Sequence, residues 1–127
     1  MKPLFSGKSI LIVDDDPVSA LLFKEFLEPT GAKIIISYDG CSIFNIIHHQ
    51  TIDLILLDIR LGDCNGFDLL PKIREINSQI PIIAQTANSL IDNETKCMNA
   101  GIDDYMSKPI KSNELFAILE KHLVINL

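Results

Sequence analysis

The sequence predicts an α/β fold, a doubly wound parallel sheet of five strands in the order 2-1-3-4-5 with five helices. Three observations carry this. Short apolar runs recur along the chain, they alternate with segments of helical period, and Gly or Pro marks several of the joins. The runs are continuous, not alternating, which is the mark of strands covered on both faces.

The elements follow in order. Ser9–Val13 (SILIV) is read as the first strand. Asp16 as N-cap and Pro17 at the first helical position start a helix that reaches about Glu28, where Pro29 and Gly31 end it. Lys33–Ser37 (KIIIS) is the second strand, Cys41–His49 the second helix and Leu54–Leu57 (LILL) the third strand. The third helix, Gly66–Ile76, carries Phe67, Leu70 and Ile73 at helical spacing, and Pro71 inside it predicts a later start or a bent axis. Ile82–Ala84 is the core of the fourth strand, Leu90–Ala100 the fourth helix up to Gly101, and Asp104–Ser107 (DYMS) the fifth strand. The fifth helix follows Ser112, with Leu115, Ile118 and Leu119 inward and Glu114 and Glu120 outward. Right-handed crossovers restrict the topologies. No repeat, low-complexity tract or linker interrupts the pattern, so one domain over 1–127, with its core at about 8–124, is expected.

Composition limits the function. The chain has 127 residues, 47% of them apolar, so it can build one real core. A net charge of −6 disfavours direct binding to nucleic acid or an anionic membrane, and it fits both plain solubility and local carboxylate clusters that attract cations. Cys41, Cys64 and Cys97 stand far apart, which argues against a disulfide framework or a zinc knuckle and favours a reducing, cytoplasmic location. No apolar run approaches the ~20 residues of a membrane span, and residues 1–8 lack the apolar stretch of a signal peptide.

In open parallel sheets, ligands bind outside the carboxyl ends of the strands where strand order reverses. Here that point lies between the first and third strands, which end as ILIVDDD and LILLD. Asp14, Asp15, Asp16 and Asp58 are therefore expected on one rim. Clustered carboxylates repel unless a cation sits among them, and Mg²⁺ suits few carboxylates, several waters and a phosphate oxygen. Helix capping accounts equally well for Asp16, and for Asp15 in part, but not for Asp58 on another strand. The fourth strand brings the Thr86 hydroxyl to the same rim, and Ser107-Lys108-Pro109 adds an ammonium after the fifth. Alone, Lys108 reads as a surface lysine and Thr86 as a β-branched strand residue. Together, a hydroxyl and a lysine facing a metal-bound carboxylate suit phosphoryl chemistry.

The motifs VDDDP, LILLDIRLGDCNGFDLL, IIAQTAN and GIDDYMSKPI, in this order over about residues 8–124, resemble the receiver domains of two-component response regulators. The resemblance implies a flavodoxin-like fold and a phosphorelay function. Asp58 would accept the phosphoryl group. Asp14 and Asp15 would hold Mg²⁺ together with Asp58 and the backbone carbonyl of Arg60, Asp15 being the more direct ligand of the pair. Lys108 would be the site lysine, aimed by a cis bond to Pro109. Thr86 and Tyr105 would be the switch pair, and Arg60 and Asn88 would tune phosphoryl lifetime. One departure is Gly62, where the family often has Pro four residues after the acceptor.

The implied partners are a histidine kinase or a histidine phosphotransfer domain, and a downstream protein at the face of the fourth helix, fifth strand and fifth helix. The first helix is apolar on more than one face. Leu22, Phe23, Phe26 and Leu27 suit the core, whereas Val18 and Leu21 are left for a docking partner beside the acidic rim. The QTAN and AGIDDYMSKPI segments resemble those of hybrid histidine kinases, the one setting in which the chain would be attached to kinase activity. Three rivals are weighed. A pseudo-receiver would be a binding scaffold of this fold that is never phosphorylated, yet this chain keeps every site residue. A haloacid-dehalogenase-like phosphatase would use Asp14 as nucleophile and Asp16 as acid/base, but Pro17 starts a helix at once and Asp58 is left without a role. A flavodoxin-like cofactor binder would need a Gly-rich phosphate loop after the first strand, which is lacking. His48 and His49 are neighbours that do not share a helix face, and His122 stands alone, so none is expected to bind metal or carry phosphate.

Overall fold

The computed structural model describes residues 4–61, 66–86 and 101–123, Thr86 through its backbone only. Five strands, β1 (Ser9–Val13), β2 (Lys33–Ser37), β3 (Leu54–Asp58), β4 (Ile82–Thr86) and β5 (Asp104–Ser107), form one sheet ordered β2-β1-β3-β4-β5. Every pairing is parallel. The helices among the described residues are α1 (Pro17–Leu27), α2 (Ser42–His49), α3 (Gly66–Ile76) and α4 (Ser112–Leu123). The helix expected at Leu90–Ala100 lies outside the described residues, so α4 corresponds to the fifth expected helix.

Because side chains alternate along a strand, each strand supplies two cores. Ile10, Ile12, Leu54, Leu56, Ile83 and Met106 pack with Ala20, Phe23 and Leu27 of α1 and with Leu115, Leu119 and Leu123 of α4. Leu11, Val13, Ile55, Leu57, Ile82 and Ala84 turn the other way, onto Ile43 of α2 and Leu69, Leu70 and Ile73 of α3. Phe5, which the sequence did not single out, is buried in the first of these cores, its N–H bonded to the Thr30 carbonyl at 2.8 Å.

Local chemistry sets the helix boundaries that matter for the site. Asp16 caps α1, its Oδ1 accepting from the Val18 N–H at 3.0 Å, and Pro17 opens the helix. The helix ends at Leu27, passes through a 3-10 turn at Glu28–Thr30 and stops at Gly31, whose φ of 82° is left-handed. Leu22 is a correction: it is exposed, leaving Ala20, Phe23 and Leu27 as the buried stripe. Pro71 does not delay α3, which runs from Gly66 with the proline on its exposed side.

Two further contacts hold the frame. Asp53 Oδ2 accepts from the Ser9 N–H at 2.8 Å, anchoring the start of β1 beside β3. Arg74, at the end of α3, donates to the carbonyls of Ile80 (2.6 Å) and Gly101 (2.9 Å) and to Asp103 Oδ2 (2.9 Å). The same Asp103 oxygen accepts from the Ile82 N–H at 2.8 Å, so one ion pair ties the entry to β4 and the entry to β5 together.

Candidate functional site

Strand β1 pairs with β2 on one side and β3 on the other. The chain leaves the carboxyl ends of β1 and β3 at this reversal, and that is where the acids collect. Asp14 is fully buried and Asp58 nearly so, whereas Asp15 is exposed. Carboxylate oxygens of Asp14, Asp15 and Asp58 all lie within 4.8 Å of one another.

Lys108 reaches this group from beyond β5. Its Nζ lies 2.9 Å from Asp58 Oδ2 and 3.4 Å from Asp14 Oδ2. The Lys108–Pro109 peptide bond is cis, as the resemblance implied. The remaining oxygens are held by backbone: Asp16 N–H donates to Asp14 Oδ1 at 3.0 Å and Arg60 N–H donates to Asp58 Oδ1 at 2.9 Å. The Asp14 N–H itself donates to the Ser37 carbonyl at 3.0 Å, an extension of the β1–β2 ladder. These bonds fix where both carboxylates point.

The charges are coupled. Burial pushes the Asp14 carboxyl above the ordinary carboxylate range and the Asp58 charge adds to this, against the pull of the Asp16 N–H and of Lys108. Burial draws the Lys108 ammonium down, but its bonds to Asp58 and the charges of Asp58 and Asp14 outweigh this and leave it raised. A buried carboxyl held above its usual range gains when a cation arrives.

The donor set fits a small hard cation. Oxygens on opposite sides of an octahedral Mg²⁺ stand about 4.2 Å apart, given metal–oxygen distances of about 2.1 Å. Adjacent oxygens stand closer, about 3 Å apart, so the three carboxylates, within 4.8 Å of one another, are near enough for one small cation to draw together. Among the described residues the cluster holds no sulfur or imidazole ligand, which would favour zinc.

The other expected residues are met unevenly. Thr86 ends β4 with its backbone in register with Ser107. Tyr105 is half-buried and packs against the α2–α3 side core. Arg60 is exposed, and its backbone N–H serves Asp58. Asn88 and the loop bearing Gly62 lie outside the described residues. Val18 and Leu21 are exposed at 75% and 54%, with Leu22 beside them at 38%. The expected pairing of Asp16 with capping holds: its second oxygen accepts from Ser19 Oγ at 3.3 Å.

Two residues at the site went unread in the sequence. A Cβ on Gly66 would stand 2.9 Å from both the Asp58 carbonyl oxygen and Ile59 Cα, so the start of α3 presses directly on the end of β3. The only hint was a glycine just inside a helix start. Gln85, next to Asp58 in register, is fully buried, and neither its Nε2 nor its Oε1 has a hydrogen-bond partner. Its signal was a lone amide in an otherwise apolar strand.

Residues 10–120 match the family model for the response regulator receiver domain. The chain belongs to that family. Among curated relatives, this receiver domain is 30% identical over 106 residues to the sensor histidine kinase RcsC of Salmonella typhi, covering 84% of this chain and 11% of the relative. It is 31% identical over 117 residues to the sensor histidine kinase GacS of Pseudomonas protegens, covering 88% of this chain and 13% of that one. The chain thus spans only about an eighth or less of these relatives. Among solved structures it is similar to the receiver domain of a sensor histidine kinase from Pseudomonas aeruginosa PAO1, with a TM-score of 0.85, 34% identity and coverage of 94% and 100% of the two chains. That structure has a magnesium ion coordinated in its active-site cleft. A two-component response regulator from Clostridium difficile superposes with a TM-score of 0.86 at 32% identity, covering 92% and 96%. The receiver domain is therefore a module of two-component signalling, with relatives among the receivers of hybrid sensor kinases. Among the described residues no helix is long and apolar enough to cross a membrane.

Proposed function

We propose that this receiver domain takes a phosphoryl group from a partner's phosphohistidine onto Asp58, with Mg²⁺, and passes the signal on by a change of shape. The observation that carries this reading is the meeting of Lys108 Nζ with Asp58 Oδ2 at 2.9 Å beside two further carboxylates. In the step, an Asp58 carboxylate oxygen attacks phosphorus, the phosphorus–nitrogen bond breaks, and the electron pair leaves with the imidazole nitrogen. Such transfer asks mainly for positioning and charge neutralisation. Bound Mg²⁺, held by Asp14, Asp15, Asp58 and the Arg60 carbonyl, would offset charge on the transferring group. Lys108 supplies a second positive charge, and the Arg60 N–H orients the acceptor by holding Asp58 Oδ1.

Thr86 and Tyr105 are assigned the switch, drawing β4 and β5 toward the phosphoryl group, with the downstream partner at the face of β5 and α4 and the segment before them. Arg60 and Asn88 are assigned the lifetime of the acyl phosphate; a lifetime unchanged in the Arg60→Ala, Asn88→Ala double variant would remove that role. Val18 and Leu21 are assigned to docking of a histidine kinase or histidine phosphotransfer domain. The phosphatase alternative fits poorly, since Asp14 is buried with both oxygens engaged and Asp16 serves as the helix cap.

The deciding experiment is intact mass after incubation with a small phosphodonor and Mg²⁺. The wild type should gain one PO₃ unit and Asp58→Asn should not. No gain in the wild type would leave the domain a binding scaffold.

A further inference from the structure

Gln85 is a buried amide in a place where an apolar side chain would fit. Its neighbours along β4 alternate between the cores: Ile83 faces α1 and α4, and Ala84 faces α2 and α3. Gln85 therefore faces the same side as Ile83. By the same alternation Asp14 follows Ile12, Asp58 follows Leu56 and Lys108 follows Met106 on that side. Register aligns Asp58 with Gln85 and Gln85 with Met106. Asp58, Gln85 and Met106 thus form one row across the sheet, with Lys108 two residues beyond Met106 on the same side, and Asp14 follows Val13, the partner of Leu57.

Strand order adds a constraint. β4 lies between β3 and β5, yet Lys108 Nζ from the end of β5 reaches Asp58 on β3 at 2.9 Å. The lysine stem must cross β4, and the residue of β4 on that face and in that row is Gln85. An ammonium has three N–H donors. One is directed at Asp58 and another, at a long 3.4 Å, at Asp14. A third remains. By register, the stem's path passes the strand position of a carboxamide whose oxygen and nitrogen are both buried and without a hydrogen bond.

We propose that Gln85 is a positioning residue of the phosphoryl site: in the loaded state its Oε1 accepts from Lys108 and its Nε2 donates to Asp58. The inference rests on the phosphoryl-accepting function proposed above. When a phosphoryl group is present, Lys108 turns from Asp14 toward the phosphoryl oxygens. That movement brings a spare N–H over Gln85, which then holds the ammonium in line. Gln85 acts through Lys108 and touches no phosphoryl oxygen. The buried amide without a hydrogen bond is then the counterpart of a bond made in the loaded site, which is where binding interactions raise rate.

The test compares wild type with Gln85→Met, which keeps the volume and removes the amide. Melting temperature is read without phosphodonor, and loading rate is read against concentration of a small phosphodonor with Mg²⁺. The expected outcome has opposite signs. Gln85→Met melts a few degrees higher, because a buried unbonded amide is gone. Its maximal loading rate falls roughly tenfold while the half-saturating donor concentration stays the same. In a Lys108→Ala background, Gln85→Met changes loading no further. In the wild type, the Gln85 side-chain amide proton resonances shift on loading. If the wild type loads Asp58 but Gln85→Met loads at the same rate and the amide resonances stay in place, the inference is overturned and the phosphoryl reading stands. If the wild type does not load at all, the function itself fails.

Discussion

Asp14 and Gln85 show how far single residues can be understood from local chemistry. Asp14 was legible because an acid directly after an apolar run must leave the strand at the sheet's rim. The distribution of its bonds was not, since it depends on Asp16 folding back at 3.0 Å and on Lys108 arriving from 94 residues away. Gln85 needed the register: only once Asp58 is paired with it does a lone amide in an apolar strand become informative. Leaving one buried polar group unbonded costs about 1–3 kcal/mol, so the residue is an exception worth explaining. Gly66 is the sharper case. Any side chain there would meet backbone at 2.9 Å, and backbone cannot swing aside. Gly66→Ala should therefore destabilise the domain by about 1–3 kcal/mol, read by chemical denaturation. A variant as stable as wild type would show that α3 can move off β3 at no cost.

Among the elements, strands were read best. Four apolar runs and the DYMS segment coincide with the observed strands, since a strand buried on both faces leaves a continuous apolar stretch in the sequence. Strands β3 and β4 reach further than their apolar cores because Asp58, Gln85 and Thr86 continue the pairing as polar residues. Helix faces were read less well. Leu22 suits a core stripe with Phe23, Phe26 and Leu27 in the sequence, whereas the buried residues of α1 are Ala20, Phe23 and Leu27. Apolar residues on several faces give no unique stripe.

The bond that holds the turn into α2 was also unread. Asp39 Oδ1 accepts from the Ser42 N–H at 2.8 Å, and this bond holds the Asp39 carboxyl below its usual range. Asp39→Ala should cost about 1 kcal/mol at neutral pH. The sign with pH is fixed by linkage. A lowered folded pKa adds stability that is complete above the unfolded value, 3.8, and is lost as pH falls through the lower folded value. The gap between wild type and Asp39→Ala should narrow only in that acidic window; a gap that widens there contradicts the assignment. The Arg74 fork is a second element-scale contact. A lysine has no planar fork to reach Ile80, Gly101 and Asp103 together. Arg74→Lys should lose most of what Arg74→Ala loses, about 1–3 kcal/mol. Full rescue by lysine would mean that charge alone matters there.

At the scale of the molecule, topology explains why the site could be foreseen. Strand order 2-1-3 places two carboxyl ends beside each other at the reversal, and the residues following those strands are acidic. The proposed docking surface follows the same logic: Val18 and Leu21 lie on α1, which starts from that rim, and they are exposed. Val18→Asp should slow transfer from a phosphohistidine partner by tenfold or so and leave loading by a small phosphodonor unchanged; equal slowing of both would move the docking site elsewhere. Divalent cation should also raise melting temperature, since a ligand that binds only the folded state adds about 2.7 kcal/mol at a hundred times its dissociation constant.

Acids from two strands and one lysine should act as a single cation-dependent acceptor site. The most direct test is the rate of Asp58 loading from a small phosphodonor as Mg²⁺ is varied, in wild type and in Asp15→Asn. Loading should saturate with Mg²⁺, vanish with chelator, and need at least roughly tenfold more Mg²⁺ in the variant. Equally fast loading in chelator, or identical Mg²⁺ dependence in the two proteins, would contradict it.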